Sequence, residues 1–242
     1  MKNLILIAFL GLTLHLSAKQ AQEVSFKTRD GIKISATYQL PQFSSGKIPV
    51  VILIHQGGSS RNEWKSRAIW NFLIKEGYAI LAYDIRHHGD SEKDAGDMND
   101  LFNNPNRAPL DLLAAISYVK KDKRIDQDRI GIIGASIGAN LACVAAASDN
   151  YGVKTVVALS AKTTAAQNLS GKTKPITLKN ALFIASEDEQ NGMREKWAKQ
   201  LYEMTTGNKL VGIAPGNKHG SYILKEDKNM NTVVQEWIKN TL

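Results

Sequence analysis

Short, almost uninterrupted apolar runs constrain the fold of this chain most strongly. The run Pro49-Val50-Val51-Ile52-Leu53-Ile54-His55 is rich in β-branched residues and lacks the alternation of a half-exposed strand. Such a run is typical of a strand that is buried on both faces of a sheet. Five further strands are predicted along the chain, at residues 78–84, 129–134, 153–160, 181–185 and 209–214.

Segments with helical spacing separate these strands. They are predicted at residues 64–76, 110–121, 137–147, 194–204 and 230–239. Strands that alternate with helices predict an α/β fold in which helices cover both faces of a mostly parallel sheet. Residues 23–28 and 32–40 flank Asp30-Gly31, a hairpin signal that adds two antiparallel strands at one edge and brings the sheet to eight strands. Only residues 161–179 lack a clear pattern, so we expect little or no cap domain there, only a small cap or an excursion over the site.

The first residues have the layout of a secretory signal peptide. Met1-Lys2-Asn3 gives a short positive start, residues 4–16 are apolar apart from Thr13 and His15, and Ser17-Ala18 supplies small residues. We therefore predict a signal peptide at residues 1–18, cleaved after Ala18, and a single domain at residues 23–242. The expectation is export to a periplasm or beyond, with no stable membrane association after cleavage. The alternative is an uncleaved N-terminal anchor.

Charge and cysteine content exclude some classes of protein. The formal net charge is +8, with 31 basic and 23 acidic residues spread along the chain. The most basic stretch, residues 120–124, contains an aspartate and lies at the end of a predicted helix, where cations interact favourably with the helix dipole. We interpret it as a solvated helix end and expect no nucleic-acid partner. Cys143 is the one cysteine and lies among small apolar residues, which favours a buried hydrophobic side chain over a reactive thiol.

The segment Gly134-Ala135-Ser136-Ile137-Gly138 follows a predicted strand and opens a predicted helix. A serine at a sharp strand-to-helix turn has an exposed hydroxyl, and side chains two residues to either side would collide with the turn. The helix N-terminus also presents free N–H groups near the serine oxygen. This context predicts a nucleophile, Ser136, with the N–H of Ile137 as a donor to an oxyanion.

With these motifs the chain resembles the α/β-hydrolase superfamily, and within it the dienelactone hydrolase-like and prolyl-oligopeptidase-like serine esterases. The resemblance rests on the glycine-framed serine and on His55-Gln56-Gly57-Gly58. Residues 84–91, Asp-Ile-Arg-His-His-Gly-Asp-Ser, match a further family loop, with His87 where glycine is more usual. The resemblance implies a serine hydrolase that cleaves carboxylic esters through an acyl-serine intermediate and a Ser-His-acid triad.

The resemblance also implies positions for the base and the acid. The family order places the catalytic histidine at His219, just after the last predicted strand. The acid should follow the strand at residues 181–185, where Glu187, Asp188 and Glu189 are candidates. Asp188 is favoured because aspartate is the commoner side chain, and Glu189, on which an ungapped alignment falls, is the alternative.

The second oxyanion donor is expected from the loop after His55, as the N–H of Gln56 or Gly57. Gln56 stands where the family usually has the glycine of a His-Gly pair.

No Cys/His cluster and no Gly-x-Gly-x-x-Gly occurs, so we expect no metal and no cofactor. The expected partner is a small-molecule ester. Other interpretations are a non-catalytic binding protein on the same scaffold, or a peptidase or acyltransferase of the same fold.

Overall fold

The computed structural model describes residues 20–242, so the predicted signal peptide at residues 1–18 lies outside the described residues. In this part of the chain, eight strands form one sheet. They are β1 (Gln22–Lys27), β2 (Lys33–Gln39), β3 (Ile48–Ile54), β4 (Ala79–Tyr83), β5 (Ile125–Ala135), β6 (Thr155–Leu159), β7 (Leu178–Ser186) and β8 (Thr205–Ala214).

The strand order across the sheet is β1-β2-β4-β3-β5-β6-β7-β8. Strands β3 to β8 are parallel to one another, whereas β1 pairs with β2, and β2 with β4, in antiparallel register. This arrangement confirms the predicted mostly parallel sheet with an antiparallel hairpin at one edge. The carboxyl ends of the parallel strands meet at one edge of the sheet, where α/β proteins bind ligands.

Helices cover both faces of the sheet. They are α1 (Asn62–Lys65), α2 (Ala68–Lys75), α3 (Met98–Leu101), α4 (Ala108–Lys121), α5 (Ile137–Ala146), α6 (Thr163–Ser170), α7 (Met193–Glu203), α8 (Ser221–Glu226) and α9 (Lys228–Thr241). Side chains of α4 to α7 contribute to the apolar core on one face, and those of α1, α2, α8 and α9 to the core on the other.

The central strands are apolar because they face helices on both sides. Every residue of β3, β4 and β6 is buried. Successive residues of a strand point to opposite faces, and in β3 Ile52 belongs to one core cluster and Leu53 to the other. The apolar run at residues 49–55 therefore corresponds to a strand that is buried on both faces of the sheet, as predicted.

The segment without a sequence pattern, residues 161–179, contains helix α6. Ala165, Ala166 and Leu169 are buried, and the helix contacts α4, α5 and α7. It thus belongs to the helical layer and is not a separate cap. Its buried face consists of two alanines and one leucine, which give no clear apolar period. Among residues 20–242, none of the helices combines the length and apolar character needed to cross a bilayer.

The loop after β4 is stabilised by buried ion pairs. The guanidinium of Arg86 lies 2.7 Å from the carboxylate of Asp111, and both side chains are fully buried. Arg107 pairs with Asp94, and its hydrogen bonds hold the pKa of that carboxyl well below its usual range. His87 has a φ of 69°, a left-handed conformation that explains why glycine is more usual at this position.

Candidate active site

Ser136 lies at the carboxyl end of β5, at the N-cap of α5, with φ 53° and ψ −109°. A non-glycine residue rarely adopts this region, and such strain is typical of functional sites. The N–H of Ser136 donates to the carbonyl of Leu159 at 2.9 Å, which holds the turn against the neighbouring strand β6. The side chain is partly exposed, as the predicted nucleophile requires.

The two glycines that frame the turn are required by close backbone contacts. A Cβ atom on Gly134 would overlap the carbonyl group of Gly138. A Cβ on Gly138 would overlap the carbonyl of Ile54 and lie 2.9 Å from the carbonyl oxygen of His55. The absence of side chains therefore brings the start of α5 directly against the end of β3.

His219 contacts Glu189. Its Nδ1 atom lies 2.5 Å from Oε1 of Glu189, whose side chain is buried. Asp188, the residue favoured from the sequence, is exposed. The choice of Asp188 is therefore corrected: the carboxylate that the structure places against His219 is the alternative, Glu189.

The turn after β7 decides between the two acids. The N–H of Asp188 donates to the carbonyl of Gly216 at 2.9 Å, which ties this residue to the loop after β8 while its side chain faces solvent. Gln190 and Asn191 have φ values of 51° and 54°, so the chain reverses within this turn and Glu189 is directed inward. The sequence shows three acids in a row, and the ungapped alignment that falls on Glu189 was the one signal for the residue that the turn directs inward.

Two residues around Glu189 were not singled out from the sequence. Ser160, at the end of β6, donates from Oγ to Oε2 of Glu189 at 2.7 Å and accepts the N–H of Gly220 at 2.9 Å. Arg194 donates from Nη1 to the carbonyl of Ser160 at 2.6 Å, and its Nε lies 3.2 Å from Oε1 of Glu189. The carboxylate thus has a buried countercharge and a second hydrogen bond that orients it.

The loop that carries His219 contacts the turn that carries Ser136. Gly220 has a φ of 57°, and a Cβ built on it would lie 3.3 Å from the Cβ of Ala135. Among residues 20–242, the hydroxyl of Ser136 forms no hydrogen bond. Catalytic hydrogen bonds are often loose before substrate binds, so this geometry is compatible with a serine and base pair.

The hydrogen bonds of Gln56 separate the two predicted oxyanion donors. The N–H of Gln56 donates to Oε1 of Glu63 at 3.3 Å, whereas the N–H of Gly57 has no partner within residues 20–242. Of the two predicted donors, the N–H left open is therefore that of Gly57. The edge of the Phe102 ring lies beside Gly57, 3.3 Å from the position that a Cβ would take. Burial raises the pKa of Glu63 above its usual value.

His55 has a structural role. Its Nε2 accepts the N–H of Ile85 at 3.0 Å, so Nδ1 carries the proton and donates to the carbonyl of Gln56 at 2.8 Å. Burial lowers the pKa of His55 to about 3. The ring therefore stays neutral at physiological pH and fixes the loop after β3.

Few groups in the described part of the chain could bind a metal ion or act as a reactive thiol. Among residues 20–242 no cluster of three or more His, Cys, Asp or Glu side chains has the geometry to hold a metal ion. Cys143 is fully buried in α5, and burial raises the pKa of its thiol to about 12. It has the place in the core that its apolar neighbours predict.

Comparison with known families gives one match over most of the chain. The family model described as "alpha/beta hydrolase fold" matches residues 49–242, which include Ser136, Glu189 and His219. The match starts at β3 and covers all six parallel strands except the first residue of β3.

Curated relatives match about half of this chain. The "quorum-quenching protein AidA" of Acinetobacter baumannii is 32% identical over 129 residues, which are 53% of this chain and 40% of that protein. An uncharacterized protein of Escherichia coli, YcjY, is 29% identical over 131 residues, 52% of this chain and 41% of its own length. The matched regions thus span less than half the length of these relatives.

Solved structures share the fold at low identity. An esterase of Pyrococcus furiosus has a TM-score of 0.70 and 21% identity, over 92% of this chain and 93% of its own. A dienelactone hydrolase of Anabaena variabilis has a TM-score of 0.71 and 20% identity, over 93% of this chain and 100% of its own.

Proposed function

The chain belongs to the α/β-hydrolase fold family, and from this premise we propose that it is a serine hydrolase that cleaves carboxylic esters. The observation that carries the proposal is the contact between two loops. The turn of Ser136 lies against the loop of His219, whose imidazole in turn contacts the buried carboxylate of Glu189. A serine becomes a useful nucleophile when a base that is oriented by a third group lies beside it.

In the proposed reaction, Oγ of Ser136 attacks the ester carbonyl carbon while Nε2 of His219 takes the hydroxyl proton. Glu189, at Nδ1, holds the ring and stabilises its charged form. The carbonyl oxygen becomes an oxyanion that accepts hydrogen bonds from the N–H groups of Ile137 and Gly57. His219 then gives its proton to the leaving alcohol, and the acyl group remains on Ser136.

A water molecule completes the cycle. His219 takes a proton from the water, whose oxygen attacks the acyl carbon, and the second tetrahedral intermediate collapses. Ser136 regains its proton from His219 and the carboxylic acid leaves. The roles of the base and the acid are thus carried by one imidazole in both halves of the reaction.

The experiment is hydrolysis of p-nitrophenyl acetate by the wild type and by Ser136→Ala. We expect turnover that is lost in the variant, together with covalent labelling of Ser136 by a fluorophosphonate in folded wild type only. Equal rates in both proteins would contradict the proposal. Absence of labelling would favour the non-catalytic binding protein.

The same assay tests the acyltransferase and peptidase alternatives. Addition of an acceptor alcohol would divert the acyl group from water if transfer were the main reaction. A hydrolase instead gives free acid as its main product at moderate alcohol concentration. Peptide p-nitroanilides cleaved faster than the ester would favour a peptidase.

A further inference from the structure

Gln56, which differs from the family pattern, forms a hydrogen bond between two loops of the candidate site. Where the family usually has a glycine after the histidine, this chain has a glutamine that is 8% exposed. Its Oε1 accepts the backbone N–H of Ser221 at 3.2 Å. Ser221 follows His219 by two residues, so Gln56 reaches from the predicted oxyanion loop to the loop of the base.

Gly220 is shaped to this contact. Its φ of 57° and ψ of −129° suit glycine, and a Cβ at this position would overlap the Oε1 atom of Gln56. The side chain of Gln56 therefore occupies the space that a side chain on the residue after His219 would need. The two positions fit each other, and a Cβ added to Gly220 would also lie 3.3 Å from the Cβ of Ala135 in the serine turn.

The main chain of Gln56 is fixed as well. Its N–H donates to Glu63, and its carbonyl accepts the N–H of Ser59 at 3.2 Å and the Nδ1 proton of His55 at 2.8 Å. With both of its polar groups engaged, the next N–H in the chain, that of Gly57, is held in one direction. The main-chain hydrogen bonds of Gln56 thus fix the start of the loop after β3.

Ser221 is held from its other side by Arg67. The guanidinium donates from Nε to the carbonyl of Ser221 and from Nη2 to its hydroxyl, each at 3.1 Å. Arg67 and Ser221 are both buried. Because Arg67 leaves the N–H of Ser221 unpaired, the acceptor of Gln56 is what completes this anchor.

We propose that Gln56 is a positioning residue that couples the two halves of the site, holding the loop of His219 with its side chain and the N–H of Gly57 with its main chain. The inference rests on the proposed function for its effect on hydrolysis, but the placement of His219 can be measured without any substrate. A displacement of a catalytic group by about 1 Å costs ~10²-fold in rate.

The test compares Gln56→Met, which keeps the size of the side chain and removes the acceptor, with Gln56→Glu, which keeps an oxygen. The matched control is Gln167→Met, since Gln167 also accepts a backbone N–H through Oε1, that of Ile176 at 3.0 Å. Measurements are kcat and KM for p-nitrophenyl acetate, thermal midpoint, and the downfield proton resonance of the His219 ring, assigned by its loss in His219→Gln.

We expect Gln56→Met to lower kcat ~10²-fold with KM unchanged, and to shift or broaden the His219 resonance. Gln56→Glu should restore part of kcat and the resonance. Gln167→Met should leave both as in the wild type, even where its thermal midpoint falls. If Gln56→Met does not fold, Gln56→Gly gives the same comparison without the acceptor.

Wild-type kcat and an unchanged His219 resonance in Gln56→Met would overturn the inference. The inference would also be overturned if kcat fell in Gln56→Glu and Gln167→Met in proportion to the fall in their thermal midpoints. A wild type that neither hydrolyses esters nor labels, but whose His219 resonance responds to Gln56→Met, would contradict the proposed function and support the positioning role.

Discussion

Oε1 of Glu189 lies 2.5 Å from Nδ1 of His219. The other carboxylate oxygen of Glu189 accepts the hydroxyl of Ser160 at 2.7 Å, and Arg194 supplies a buried positive charge. A carboxylate with this set of partners is held in one orientation, and in the proposed mechanism it holds the imidazole in the tautomer that leaves Nε2 free for the serine.

Glu189→Gln is expected to lower kcat by ~10³–10⁴-fold, because an amide at this position stabilises neither the required tautomer nor the charged imidazole. Asp188→Asn, one residue earlier, is the matched control and should leave kcat unchanged, since the Asp188 side chain is exposed. Ester hydrolysis with circular dichroism as a check of folding measures both. A larger loss in Asp188→Asn than in Glu189→Gln would reverse the assignment.

Gly57→Pro removes the N–H that we assign to the oxyanion, and kcat should fall by ~10²–10³-fold. Gly57→Ala keeps this donor and adds a methyl group that meets the edge of the partly buried Phe102 ring at 3.3 Å. The comparison of the two variants separates the effect of losing the hydrogen-bond donor from the effect of adding a side chain. Similar kcat values in the two variants would show that the donor lies elsewhere.

Gly138→Ala is expected to destabilise the fold by about 1–3 kcal/mol or more, because its Cβ would overlap a backbone carbonyl that cannot move independently of β3. Gly46→Ala is the control, since a Cβ there would meet nothing within 4 Å. Urea unfolding monitored by tryptophan fluorescence gives both free energies. A neutral Gly138→Ala would mean that α5 does not lie this close to the end of β3.

Asp94→Asn should make the free energy of unfolding less dependent on pH. The folded-state pKa of Asp94 is lowered, chiefly by Arg107, so its contribution is present above the unfolded-state pKa and is lost as pH falls through the folded-state value. The variant should be less stable by about 1–3 kcal/mol at pH 7, and this difference should shrink as the pH is lowered below about 4. Unfolding of wild type and variant at several pH values measures it.

Asp128→Asn is the control for this pH series. Asp128 is exposed and forms no ion pair among residues 20–242. Its variant should follow the wild type at every pH. A difference between wild type and Asp94→Asn that stays constant down to low pH would contradict the assigned ion pair.

The parallel sheet and the turn of Ser136 could be predicted from the sequence because their causes are local. Apolar β-branched runs identify strands buried on both faces, and a glycine two residues to either side of a serine identifies a tight strand-to-helix turn. The position of His219 after the last strand follows from chain order. Helix α6 was not predicted, because its sequence is mostly polar and its buried face consists of two alanines and one leucine, which give a weak apolar period.

The acid and the role of Gln56 depend on contacts between distant parts of the chain. Glu189 rather than Asp188 faces His219 because the turn after β7 is tied to the loop after β8 at Gly216. Gln56 meets Ser221, 165 residues later. A sequence shows which side chains are present near a strand end, whereas their direction is set by the loops that the sheet brings together. The chain alone therefore determined the sheet and the serine turn, and the tertiary structure decided which carboxylate contacts His219 and which amide contacts the loop after it.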